Sequence, residues 1–100
     1  YRKFLSKNSS IIIPKTHEGE ALQWFDILIP NKRKVLKYLK SKNIDVRPFW
    51  YPITDQKVYK SDEFFPVTAD ISMKGLWLPS YFDITEQDIE RVSNEINKVL

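Results

Sequence analysis

The sequence predicts an α+β fold, a small and mostly antiparallel sheet with helices mainly on one face. Three observations predict it. Short apolar runs at 11–13, 21–29, 44–49 and 76–78 are stopped or interrupted by prolines, as short and edge strands are. Residues 31–42 and 85–99 instead space their apolar side chains three and four apart, the helical period. Finally, 100 residues, 42% hydrophobic and 29% charged, suit one domain able to bury roughly 60–70% of its unfolded surface.

Taken in order, Tyr1, Phe4 and Leu5 have the spacing of one helical face, ended by Asn8-Ser9-Ser10. Ile11-Ile12-Ile13 reads as a short buried strand stopped by Pro14, and 15–20 as a polar loop holding Gly19 and His17. Residues 21–29 make the strongest strand, with Phe25, Ile27 and Ile29 on one face and Trp24, Asp26 and Leu28 on the other. After Pro30, Asn31 is placed to cap a helix running to Lys42 with Val35, Leu36 and Leu39 inward. Asn43 suits the left-handed position that follows. Residues 44–49 form the next strand, Ile44 and Val46 facing one way, Asp45 and Arg47 the other. An irregular stretch leads to Phe64-Phe65-Pro66. Thr68 then caps a short helix through Ile71 and Met73, with Gly75 as its left-handed stop, and Leu76-Trp77-Leu78 is the final strand. The last helix has the clearest start. Thr85 with Asp88 three residues on is an aspartate variant of the capping box, flanked by Ile84 and Ile89 as an apolar staple. Ile89, Val92, Ile96 and Val99 make its inward stripe.

Composition narrows the function. The chain has no cysteine, which excludes disulfides and thiolate zinc sites and fits a reducing, cytoplasmic setting. No apolar run approaches the ~20 residues of a membrane helix, so no membrane partner is expected. A start at Tyr1-Arg2-Lys3, without initiator methionine or signal-peptide pattern, reads as a piece of a longer polypeptide. One histidine leaves nothing for a histidine-based metal site, and His17 in its polar loop reads as solvated. Two glycines make no phosphate-cradling loop, and no serine has the surroundings of a catalytic triad. Asp55, Asp62, Glu63 and Asp70 lack calcium-loop spacing. The net charge of +3 permits an anionic partner without requiring one. Lys32, Arg33, Lys34, Lys37, Lys40 and Lys42 crowd one helix, but no glycine–aromatic motif of the RNA-binding sheets accompanies them. A solvated basic face is therefore the reading taken. An anion- or nucleic-acid-binding module, or a protein-interaction module, stands as the alternative.

One stretch stands apart, Arg47-Pro48-Phe49-Trp50-Tyr51-Pro52. Each proline removes a ladder donor and fixes φ, so the block belongs at a sheet edge. Alternation turns Arg47 away from whatever buries Ile44 and Val46. That leaves a guanidinium beside three stiff aromatics, suited to a carboxylate or diphosphate gripped by paired hydrogen bonds. The alternative is structural, with Phe49 and Trp50 capping the core and Arg47 paired to Asp45 or Asp70. Nine of the 14 aromatics lie between Phe49 and Phe82, so either the core is thickest there or that edge faces a ligand or partner.

The order of these features resembles the C-terminal small domain of the DegT/StrS-type sugar aminotransferases, fold-type-I enzymes that use pyridoxal 5′-phosphate (PLP). The matching residues begin with Tyr1 and Leu5 before Ile12 and Pro14, then Trp24-Phe25 opening a strand and Arg33 leading a helix that ends at Leu39 and Lys42-Asn43-Ile44. The 47–52 block follows, with Gln56 and Tyr59, then Phe65-Pro66, Gly75-Leu76-Trp77-Leu78-Pro79-Ser80, and Ile84-Thr85 with Asp88-Ile89 and Val92. The block together with Leu78-Pro79-Ser80 is most similar to the branch that aminates nucleotide-linked 4-keto-6-deoxy sugars, perosamine synthases among them. The resemblance implies a homodimeric parent that moves an amino group from glutamate, through PLP, to a keto carbon of such a sugar. It implies that the Schiff-base lysine and most phosphate contacts lie in a large domain outside these residues. The chain alone would then carry no catalytic or cofactor-binding residue and be inactive. It implies a position at the mouth of the cleft, where Arg47, Trp50, Tyr51 and Thr54 would meet substrate. Many relatives carry histidine where this chain has Thr54, so the role of that histidine does not carry over. Related dehydratases, which replace the cofactor lysine, remain an open alternative at this point.

Overall fold

A computed structural model describes residues 1–60 and 62–100. Its elements are α1 (Arg2–Leu5), β1 (Phe25–Leu28), α2 (Lys32–Ser41), β2 (Arg47–Pro48), a 3₁₀ turn (Ile53–Asp55), α3 (Pro66–Lys74), β3 (Gly75–Leu78) and α4 (Glu86–Val99). The last strand in sequence is the middle one in space. β3 pairs antiparallel with β1 on one side and β2 on the other. Trp77 thus lies between Asp26 and Arg47, and Leu76 between Ile27 and Pro48.

Alternation along the strands sorts the side chains as the sequence requires. Ile27, Leu76 and Leu78 are at most 2% exposed on one face of the sheet. They join Val35 and Leu39 of α2, Val92 and Ile96 of α4, Leu5 of α1, and Ile44 and Val46 before β2 in a single apolar cluster. Burying each such side chain is worth roughly 1.5–3 kcal/mol, which holds the three helices to that face. The architecture is the expected α+β one, an antiparallel sheet backed by helices. α3 buries none of its residues and contacts β1 instead.

Several local expectations are corrected. Ile11-Ile12-Ile13 is no strand: Ile12 makes one bridge to Leu28 while its side chain stays exposed, and only Ile11 is buried. The long strand expected at 21–29 pairs only over 25–28, and the one expected at 44–49 only over Arg47–Pro48. Pro48 occupies an edge strand, as its missing donor demands. Asn31 precedes α2 in a left-handed conformation, φ 52°, and makes no side-chain cap. The reversal out of β1 claims its backbone, and its carbonyl receives the amides of Lys34 and Val35. Thr68 caps nothing. α3 starts earlier, at Pro66, whose fixed φ and absent N–H suit the first helical position. Gly75 is extended, φ −72° and ψ 134°, and leads straight into β3 rather than making a left-handed stop.

Two terminal signals are as read. Asn43 is left-handed, φ 55°. Its amide bonds to the Lys40 carbonyl and that of Ile44 to Leu39, the two hydrogen bonds of a Schellman ending. At α4 the Asp88 amide donates to Thr85 Oγ1 at 3.1 Å and the Thr85 amide to Asp88 Oδ2 at 3.2 Å, a complete capping box. The Thr85 hydroxyl adds a 2.6 Å bond to the same carboxylate. Thr85→Ala is expected to cost about 1 kcal/mol, read as a lower denaturation midpoint. An unchanged midpoint would contradict this cap. These bonds hold the Asp88 carboxyl below its usual range. A depressed carboxylate stabilises the fold at neutral pH, and that contribution is lost as pH falls through its folded pKa.

Candidate functional site

The sheet face turned away from the core carries Trp24, Asp26, Trp77, Arg47 and Phe49. Indole and phenyl rings dominate it. Trp24 and Trp77 stack with centroids 4.6 Å apart, and Phe49 lies at 5.5 Å from Trp77 on the other side. Trp50 stands edge-on to both tryptophans, 4.9 Å from Trp77 and 6.4 Å from Trp24. Burial pushes the Asp26 carboxyl above its usual range, and the neighbouring Trp77 indole opposes that rise.

Phe49 occupies this face because Gly75 has no side chain. A Cβ on Gly75 would lie 2.3 Å from Phe49 Cγ and Cδ2, so the ring fills the space directly over the glycine. The Phe49 amide donates to the Gly75 carbonyl at 3.1 Å and extends the β2–β3 pairing by one bond. Beyond Phe49 the chain leaves the sheet, and Ser72 Oγ of α3 holds the Trp50 carbonyl at 3.3 Å. Lys32, opening α2, donates its Nζ to the Ser72 carbonyl and ties the same corner to the helix layer. Burial, then repulsion from Arg33, lowers the Lys32 pKa.

These pieces enclose a cavity of about 600 Å³. Arg47, Trp50 and Tyr51 line it together, so three of the four side chains singled out in the sequence meet at one place. Thr54 does not line it. It is half-buried in the 3₁₀ turn. Trp24, Trp77 and Lys32 also line it and were not singled out. Strand alternation was the available signal for the tryptophans, since it sets them on the Arg47 face once the strands pair.

Arg47 is well exposed and meets Asp45 through Nη2 at 3.4 Å, with both side chains in solvent. Asp70, the other acidic residue considered for it, pairs with Lys74 at 2.7 Å. An exposed pair of that length contributes little, roughly 0–1 kcal/mol. The guanidinium therefore keeps most of its hydrogen-bonding capacity.

The aromatics of 49–82 are not where the core is thickest. Trp50, Tyr51, Tyr59, Phe64, Phe65, Tyr81 and Phe82 are all exposed. The radius of gyration, 14.7 Å, exceeds the roughly 13 Å usual for 100 residues, consistent with a segment that stands off the core. Among the described residues no group of three His, Cys, Asp or Glu side chains could hold a metal, and no helix is long and apolar enough to cross a membrane.

The family model of the DegT/DnrJ/EryC1/StrS aminotransferases matches residues 1–97. No curated protein matches the chain. Among solved structures, a DegT/DnrJ/EryC1/StrS aminotransferase from Brucella abortus superposes with a TM-score of 0.84 at 19% identity, over 97% of this chain and 27% of its own. The aminotransferase TlmJ from Streptoalloteichus hindustanus gives 0.84 at 15% identity, over 97% and 28%. A Bacillus cereus protein assigned as a PLP-dependent aminotransferase gives 0.82 at 21% identity, over 96% and 28%. The chain thus spans little more than a quarter of the length of these proteins.

Proposed function

This chain belongs to the DegT/DnrJ/EryC1/StrS aminotransferase family, and on that premise we propose that it is the small C-terminal domain of a homodimeric nucleotide-sugar aminotransferase. The parent takes its amino group from glutamate and delivers it to a nucleotide-linked keto-deoxy sugar. The observation that carries the reading is the cavity shared by Arg47, Trp50 and Tyr51 in a chain matched by the family model almost from end to end.

PLP, when bound, supplies the electron sink that lets an amino group leave one carbon and arrive at another. The residues of this chain do not fit as its holder. Every lysine is exposed or half-buried, and the half-buried Lys32 and Lys74 are engaged with the Ser72 carbonyl and Asp70. A Schiff-base lysine needs a free amino group of lowered pKa, and Lys32, the one lysine whose pKa is lowered, has its Nζ held by the Ser72 carbonyl. The part left to this domain is binding. Arg47 grips the anionic part of the substrate, and Trp50 and Tyr51 exclude water around it, while Thr54 sits in the turn outside this cavity.

The test uses both lengths of protein. The longer enzyme is expected to form 2-oxoglutarate and amino sugar in equal amounts from glutamate and a nucleotide-linked 4-keto-6-deoxy sugar. The 100-residue chain is expected to bind PLP no better than an unrelated basic protein does. A cofactor absorbance band from one stoichiometric lysine of the short chain would overturn the domain assignment. Loss of water from the sugar without amino transfer would make the parent a dehydratase.

A further inference from the structure

We propose that the groove between α2 and the segment leading into β2 is a docking site for an acidic, extended stretch of a partner protein. The inference goes beyond the substrate reading above and does not depend on it.

Charge is the first argument. Elsewhere in the chain exposed cations have partners: Lys3 meets Glu86, Arg47 meets Asp45, Lys74 meets Asp70 and Lys98 meets Glu95. α2 differs. It contains no acidic residue, and among the described residues none of Arg33, Lys34, Lys37 and Lys40 lies in an ion pair. Arg33, Lys37 and Lys40 are spaced four and three apart, so they share one face of the helix and repel one another. Arg33 and Lys34 also sit in its first turn, where the macrodipole disfavours positive charge. Each of these arrangements works against folding, and a partner bearing carboxylates relieves all of them.

The groove gives that charge a shape. It encloses about 720 Å³, with Lys37 and Lys40 of α2 on one side and the chain from Asn43 to Val46 on the other. Leu36, half-buried, adds apolar surface. Asp45 is the one carboxylate that lines it among the described residues, and it already faces Arg47 at 3.4 Å. No aromatic ring lines it among those residues, so a nucleic acid finds phosphate contacts there and nothing on which to stack its bases.

The backbone beside the groove selects an extended partner. β2 is an edge strand, paired with β3 on one side only. Pairing at Arg47 and Phe49 turns their main-chain groups towards β3, so those of Val46 point outwards. Among the described residues neither the Val46 amide nor its carbonyl has a backbone partner. An extended segment takes up both, as strand addition at a sheet edge does. Pro48, without an N–H, stops the pairing, so the segment runs beside residues 44–46 and places its carboxylates against Lys37 and Lys40.

Fluorescence anisotropy of labelled peptides on the chain tests this. A peptide of alternating glutamate and valine is expected to bind saturably, the valines favouring the extended form, and to weaken as sodium chloride screens its exposed contacts. Its glutamine–valine counterpart, polyglutamate, and a backbone N-methylated glutamate–valine peptide that cannot pair along the edge should each bind about tenfold more weakly or worse. Reversing two charges, with Lys37→Glu and Lys40→Glu together, should abolish binding of the acidic peptide and create binding of a lysine–valine peptide. Both side chains are exposed and glutamate is a good helix former, so the fold is retained, which far-ultraviolet circular dichroism checks. Failure of the glutamate–valine peptide to bind saturably would overturn the proposal. Polyglutamate, oligothymidylate or phosphatidylserine vesicles binding as tightly as that peptide would make α2 a general polyanion surface and overturn it too. So would a charge-reversed chain that keeps its affinity for the acidic peptide, or an N-methylated peptide that binds unimpaired. None of these outcomes bears on amino transfer, which the longer enzyme reports separately.

Discussion

Gly75→Ala is expected to destabilise the chain by about 2–4 kcal/mol, although alanine is ordinarily a mild replacement for an extended glycine. The backbone at Gly75 is open to any residue, at φ −72° and ψ 134°, so the cost is not conformational. It is steric. The new Cβ would lie 2.3 Å from the Phe49 ring, and the contact includes Cγ, the ring atom nearest the backbone, which cannot swing aside alone. Phe49 must leave its place over β3. Overfilling a packed site costs about 1–3 kcal/mol, and losing the Phe49–Trp77 stack adds about 0.5–1.5 kcal/mol. Urea denaturation measures the loss, and the near-ultraviolet circular dichroism of the tryptophans should weaken with it. A second background identifies the cause. In a Phe49→Ala chain the ring is gone, and Gly75→Ala should cost much less. Equal costs in the two backgrounds would mean that some other contact excludes the methyl.

Arg47→Lys is expected to lower kcat/KM for amino transfer in the longer enzyme about tenfold or more, a loss of roughly 1.4 kcal/mol or greater. Lysine keeps the charge but loses the fork that binds a phosphate or carboxylate through two hydrogen bonds. Thermal stability should stay close to normal. The Arg47 side chain is 74% exposed and its pairing with Asp45 is a 3.4 Å surface contact, so little folding energy depends on it. The structural alternative makes the opposite forecast. If the variant melts early and the surviving enzyme turns over normally, Arg47 serves the scaffold and the site assignment falls.

The candidate site was partly legible in the sequence. Arg47 could be placed because Ile44 and Val46 fixed the inward face of its segment, and period two did the rest. Trp50 and Tyr51 followed from the prolines on either side, which keep the block at an edge and force it out of the sheet. Trp24 and Trp77 carried the same information about facing, but nothing in their own segments says that they stack. Lys32 looked like one more cation on a basic helix. Its use at the cavity depends on Ser72, which belongs to a different helix. Thr54 was drawn in as the position where many relatives carry histidine, and the 3₁₀ turn carries it out of the cavity.

By itself the sequence determined what has a local cause. The capping box of α4 lies within four consecutive residues, the Schellman ending of α2 within six, and the inward stripes of β1 and α4 follow from side-chain period alone. Errors arose where two local signals competed, as when Pro66 rather than Thr68 started α3, or where a glycine suggested a turn. Only the tertiary structure decided that β3 lies between β1 and β2, that Trp77 is thereby flanked by Asp26 and Arg47, and that Gly75 is the floor beneath Phe49. Strand order and ring-over-glycine contacts join residues far apart in the chain. Their energy comes from packing that exists only after the apolar faces have met, so no pattern within one segment encodes them.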